Sequence, residues 1–244
     1  MTATRVLVVW GSETNQTKIA MTDLVEGWQQ THDTKTVTFE FLMGDKAATD
    51  EKFATITSDN YDYVVIGTSS YGEGDPPSGF GKFLYQLQEA AAAANANQET
   101  PPQFAGLQHA VLGFGSTAYE TFQNCPRMVD KYFGEAGSRR CLQRFEWDEM
   151  EHDMDDVTKW SKELQKLLLL DPSTVSTEPP VCAWTEPEAQ LLAKPMDADG
   201  YEKGQGEMST EKRLLIPILV ASAGVAYYWY QYKLQNITLA TLDE

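Results

Sequence analysis

Five apolar runs recur along the chain at the spacing of strand, helix, strand: RVLVVW (5–10), TVTFEFL (36–42), YDYVVIGTS (61–69), HAVLGFG (109–115) and RRCLQRFEW (139–147). Their Val, Leu and Ile residues run continuously instead of alternating with polar ones, which is how a strand reads when both its faces are covered. Helical stretches near 17–29, 46–57, 79–97, 122–136 and 153–170 separate them. This alternation predicts an α/β domain over residues 1–170, built on a doubly wound, five-stranded parallel sheet.

Charge narrows what such a domain can do. Lys and Arg number 19 against 36 Asp and Glu, a formal net charge of −17. Nucleic-acid binding is excluded, because phosphate backbones are held by clustered cations. An acidic surface suits solubility and, more sharply, a steered encounter with a basic protein partner. Cys125, Cys141 and Cys182 are odd in number and lack metal-ligand spacing, so neither a disulfide framework nor a zinc site is expected, and a reducing compartment is. His32, His109 and His152 are equally scattered and receive no catalytic role. The opening MTATRVLVVW has no charged n-region and apolar run of a signal peptide, so the domain is expected to fold where it is made.

The pattern dissolves between 171 and 212, where five of the chain's eleven prolines fall among Ser, Thr, Glu and Gly. That is linker composition. Leu214 to Tyr232 is then an uncharged stretch of 19 residues, with Lys212 and Arg213 before it and a run of Tyr and Trp at its far end. As a helix it matches the thickness of a hydrocarbon core, so 213–233 is expected to be a C-terminal transmembrane helix followed by a short tail, 234–244. The alternative is a hydrophobic helix packed on the domain or lying in the membrane interface. The flanking charges favour a domain on the cytosolic side; of the membranes that receive C-terminal anchors, the endoplasmic reticulum is expected, with the mitochondrial outer membrane as the alternative.

Three loops leave the carboxyl ends of the strands, where open α/β sheets bind ligands. WGSETNQTKIA (10–20) offers the hydroxyls of Ser12, Thr14 and Thr17 with successive backbone N–H groups entering a helix. Such a terminus holds a phosphate dianion without a basic side chain, although Ser and Thr also simply cap helices. SSYGEGDPPSGFGKFL (69–84) sets Tyr71 beside Gly72 and Gly74, an aromatic face next to backbone that admits close approach. GFGSTAYETFQ (113–123) repeats the combination with Gly113, Gly115 and Tyr119. Read singly, each tyrosine is a surface turn residue; read together, two such loops can sandwich one planar ring.

With these three motifs in order and correctly spaced, residues 4–170 resemble the flavin mononucleotide (FMN) domain of the diflavin reductases, the family that includes NADPH–cytochrome P450 reductase. The resemblance implies that Ser12, Glu13, Thr14, Asn15, Gln16 and Thr17 cradle the FMN phosphate. It implies that Tyr71 and Tyr119 cover opposite faces of the isoalloxazine, with the Gly72 peptide near N5. Ser69, Ser70, Gly74, Gly113, Gly115 and Phe122 fall within the same cofactor-contacting loops, and Asp148 matches the acidic start of the last one. One departure stands in the phosphate loop, where the family usually has Gly and this chain has Asn15 followed by Gln16. Asn tolerates positive φ, so the loop is expected to keep its shape.

The family's FAD and NADPH domain has no counterpart in the sequence after Asp171. The resulting expectation is a membrane-tethered FMN electron carrier. It would take electrons from a separate NAD(P)H-dependent flavoprotein reductase and pass them singly to a membrane-associated acceptor such as a haem protein. The alternatives are an FMN-dependent quinone reductase, which needs one flavin face open, and a non-redox membrane-bound scaffold that has lost FMN.

Overall fold

In the computed structural model, residues 3–97 and 99–169 are described. The expected linker, transmembrane helix and tail lie outside them, as does Cys182. Among the described residues no helix is long and apolar enough to cross a membrane.

The apolar runs become strands β1 (Thr4–Trp10), β2 (Val37–Met43), β3 (Tyr63–Ser69) and β4 (Gln108–Gly115), all parallel in the order β2-β1-β3-β4. The fifth run is not one strand. It divides into β5 (Arg139–Arg140) and β6 (Phe145–Asp148), both paired with β4. Register explains the division: Arg139 lies opposite Gln108, an offset of 31, whereas Phe145 lies opposite Leu112, an offset of 33. Two surplus residues must leave the ladder between the two pieces. An even surplus keeps alternate side chains on their original faces, so Trp147 still reaches the core beside Phe114.

Between the strands lie α1 (Gln16–Thr31), the short α2 (Gly44–Ala47) and α3 (Asp50–Ala54), α4 (Gly81–Ala96), α5 (Asn124–Glu135) and α6 (Met154–Leu168). The single helix expected over 46–57 is interrupted because Thr49 turns out of it. Its hydroxyl accepts the Lys52 N–H and starts α3 afresh. Asp153 and Asp156 form a reciprocal capping box at the start of α6.

Both faces of the sheet are covered, as the continuous apolar runs demanded. Val6, Val8, Val65 and Leu112 pack with Trp28 of α1 and Trp160 and Leu164 of α6. Leu7, Val9, Ile66 and Val111 pack on the other face with Phe83 and Leu87 of α4 and Val129 and Phe133 of α5. Two buried polar groups are satisfied across the core: the Trp28 indole N–H donates to Ser161 Oγ at 2.8 Å and the Tyr63 hydroxyl to the Leu167 carbonyl at 3.1 Å.

Candidate functional site

The chain crosses from β1 outward to β2 and then back past β1 to β3, so β1 and β3 are neighbours whose following helices cover opposite faces. The crevice beyond their carboxyl ends is the switch point at which doubly wound folds bind ligands. The loop after β1, the loop after β3 and the loop after β4 all arrive there.

Asn15 caps α1 with φ 66° and ψ −1°, the left-handed conformation expected of it, and its side chain makes no capping bond. Its own carbonyl accepts the Ile19 N–H at 2.9 Å. The N–H groups of Ser12 to Lys18 make no hydrogen bond among the described residues. They form an anion cradle of the kind a helix dipole favours. Thr17 is buried, Ser12 half-buried, and Glu13, Thr14, Asn15 and Gln16 are exposed. A carboxylate beside a phosphate would repel it, but Glu13 is turned away: its Oε2 accepts the Ser78 N–H at 2.7 Å and joins the first loop to the second.

Ser69 closes β3, half-buried, and the chain then folds into a small hairpin. Tyr71 and Asp75 exchange N–H···O bonds of 2.8 Å in both directions. Gly74 has φ 93°, and a Cβ there would stand 2.7 Å from Asn124 Nδ2, so only glycine fits both the turn and its neighbour. Tyr71 is 41% exposed and Tyr119 is 66% exposed. Large apolar rings left uncovered on two adjacent loops are what a planar ligand would bury.

Two of the residues expected to contact the cofactor are buried. Gly113 is buried in β4, and any Cβ on it would collide with the Gln123 amide, so its smallness makes room for Gln123. Asp148 is 2% exposed. Its Oδ1 accepts the N–H groups of Thr117 at 3.1 Å and Met150 at 3.0 Å, and its Oδ2 accepts the Thr117 hydroxyl at 2.7 Å. Desolvation pushes this carboxyl up, but the Thr117 hydroxyl and the backbone N–H groups prevail and hold it below its ordinary value. Asp148 thus ties the loop after β4 to the loop after β6. Phe122 packs its half-buried ring at Gly115, whose carbonyl accepts the Glu149 N–H at 3.0 Å.

Several residues here escaped the sequence reading. Gln123 caps α5 in the left-handed region, φ 62°, fully buried, with Nε2 donating to the Trp147 carbonyl at 3.2 Å and Oε1 unpaired. Asn124 is buried and donates through Nδ2 to the Gly74 carbonyl at 2.8 Å. Glutamine carries no local preference for positive φ, so nothing in the sequence singles it out. A cavity of about 470 Å³ opens on the β1–β2 side, lined in part by Arg5, Glu40, Lys52 and Tyr61. There Lys52, Glu40 and Tyr61 satisfy one another.

The fold and this crevice define a class: a doubly wound carrier of a flat, phosphate-bearing cofactor, held at the switch point by a helix terminus and flanked by aromatic rings. The chain belongs to the flavodoxin family, whose model matches residues 8–160. It is 36% identical over 103 residues to the sulfite reductase [NADPH] flavoprotein alpha-component of Mannheimia succiniciproducens, covering 42% of this chain and 15% of that one. It is 25% identical over 197 residues to NADPH–cytochrome P450 reductase of Candida tropicalis, covering 76% of this chain and 27% of that one. The chain therefore spans only a small part of these relatives. Oxidised flavodoxin 1 from Bacillus cereus superposes with a TM-score of 0.51 at 18% identity, over 69% of this chain and all of that one. The residues present fit FMN: the cradle of free N–H groups suits its phosphate, and the paired tyrosines suit its ring.

Proposed function

We propose that this chain is a membrane-tethered FMN electron carrier. The observation that carries the reading is the convergence, at one switch point, of an unpaired helix N-terminus with two exposed tyrosines on neighbouring loops. FMN, when bound, supplies the redox chemistry, since a flavin can pass electrons one at a time. The protein's part is to hold and shield it. The N–H groups of residues 12–18 bind the phosphate, while Tyr71 and Tyr119 cover the ring and exclude water. The Glu13–Ser78 and Thr117–Asp148 bonds keep the loops that carry these groups from spreading.

The surroundings support a protein partner of opposite charge. Glu73, Asp75, Glu120, Glu149 and Glu151 stand on the cofactor loops, and residues 11–17, 70–80, 115–123 and 148–156 contain no Lys or Arg. Such a rim accelerates encounter with a basic surface and rejects an acidic one. We take the donor to be a separate NAD(P)H-dependent flavoprotein reductase and the acceptor a haem protein or other redox enzyme at the same membrane. The uncharged stretch 214–232 supplies the tether, with the flavin domain in the cytosol at the endoplasmic reticulum or mitochondrial outer membrane, and 171–212 supplies the reach between partners.

The test uses the full chain purified in detergent. One heat-released FMN per chain is expected, with NADPH alone leaving the flavin oxidised and a catalytic amount of an NADPH-dependent flavoprotein reductase reducing it. Direct reduction by NADPH followed by quinone turnover would establish a quinone reductase instead. A colourless chain that refuses added FMN would make it a scaffold.

A further inference from the structure

Resting on the FMN reading, we infer that Thr121 and Asn124 are positioning residues that set the slot between Tyr71 and Tyr119. Neither lies among the residues expected to contact the cofactor. Their effect runs through the backbone carbonyls of the neighbouring loop.

The hairpin at 71–75 closes on itself through the two Tyr71–Asp75 bonds and the Gly74 N–H, which donates to the Tyr71 carbonyl at 3.0 Å. These internal bonds fix its shape and not where it rests. Three contacts from a single segment place it. Thr121 Oγ1 donates to the Gly72 carbonyl at 3.2 Å, Asn124 Nδ2 to the Gly74 carbonyl at 2.8 Å, and the Cys125 N–H to Ser70 Oγ at 2.9 Å. Asn124 also fills the space a side chain on Gly74 would need, so the two residues interlock sterically as well as by hydrogen bond.

The gripping segment also carries the second tyrosine. The Phe122 N–H donates to the Tyr119 carbonyl and the Asn124 N–H to the Thr121 carbonyl, both at 3.1 Å, so 119–124 is a chain of tight turns running into α5. Tyr71 and Tyr119 are therefore joined through Thr121 and Asn124. A slot of preset width binds a planar ring without the cost of ordering two loops. Loosening the grip should weaken ring binding and leave the phosphate cradle, which sits on the loop after β1, as it was.

The experiment removes flavin from the full chain in detergent and titrates the apoprotein separately with FMN, riboflavin and inorganic phosphate. Thr121→Val keeps the shape and deletes the donor, Thr121→Ser keeps the donor, and Asn124→Ala deletes the interlock. The expected result is about tenfold weaker FMN and riboflavin binding for Thr121→Val and Asn124→Ala. Phosphate affinity should remain within twofold, and Thr121→Ser should bind as the parent does. Parent and variants binding FMN equally would overturn the inference alone, as would variants that lose ring and phosphate affinity together with thermal stability. A parent chain that takes up no FMN would overturn the FMN reading itself. Should Asn124→Ala not fold, Thr121→Val, at a half-buried site, decides the matter.

Discussion

The carboxyl ends of the strands and the region around His109, near the amino end of β4, treat buried polar groups in opposite ways. Around His109, polar groups close on one another. Asp130, fully buried on α5, accepts Arg140 Nε at 2.7 Å and Arg144 Nη1 at 2.5 Å, while His109 Nε2 lies 3.0 Å from its Oδ1 and Nδ1 lies 2.9 Å from Ser138 Oγ. Arg127 and Arg144 then share Glu146. At the carboxyl end, the N–H groups of Ser12 to Lys18 stand unpaired among the described residues and two non-glycine residues, Asn15 and Gln123, take positive φ. The two ends draw their free energy from different sources. A closed network is completed by folding, whereas an open one is completed by a ligand.

Changes around His109 should therefore cost stability and spare flavin, and changes at the carboxyl end should do the reverse. The largest effect is expected from Asp130→Asn, which removes the buried carboxylate that Arg140 and Arg144 share and leaves Arg144 its ion pair with Glu146. Desolvation alone would push the Asp130 carboxyl up, but the bonds from His109 and Arg140 hold it well below the usual carboxylate range. Breaking such a pair costs about 3–5 kcal/mol. Urea unfolding measures the loss, and the folded fraction should still bind FMN with the parent's affinity.

Acidification tests the same network less severely. Burial holds the His109 imidazole neutral, below its ordinary value, against the opposing pull of Asp130. Two arginines already neutralise that carboxylate. The unfolded chain protonates this histidine near pH 6.5 and so binds more protons than the folded one below that pH. Stability should fall as pH drops below 6.5, by up to about 1.4 kcal/mol per unit for this one group. His109→Asn should show a shallower slope in parallel thermal melts at pH 7 and 5.5.

At the opposite end, Gly74→Ala forces a side chain into both a left-handed turn and the Asn124 amide. About tenfold weaker FMN binding is expected, with the region around His109 unaffected; equal binding would show that this turn does not shape the flavin site. The smallest effect belongs to Asn15→Gly. Because Asn15 already sits at φ 66° without using its side chain, glycine should change phosphate affinity less than threefold, whereas a β-branched Val there should abolish it.

Much of this was legible in the sequence. Continuous apolar runs announced a sheet covered on both faces, because a strand's neighbours above and below are written in its own residues. Glycine beside tyrosine at strand ends marked the crevice, and Asn15 was readable as left-handed because that preference is local to the residue. What tertiary structure alone decided involves distance along the chain. The division of the last strand depends on how β4 registers with two separate pieces. The side-chain oxygens of Asp148 and Glu13 are engaged by Thr117, Met150 and Ser78, partners that lie far from them in the sequence or are hidden from its pattern. Gln123 is driven into positive φ by packing between Gly113 and Trp147. The grip of Thr121 and Asn124 on the 70–74 loop, and of Asp130 on His109 and two arginines, joins residues that no periodicity links. Local propensity and hydrophobic pattern act over a few residues and are written in order; hydrogen-bond partners are chosen by whatever the packed sheet brings within bonding reach.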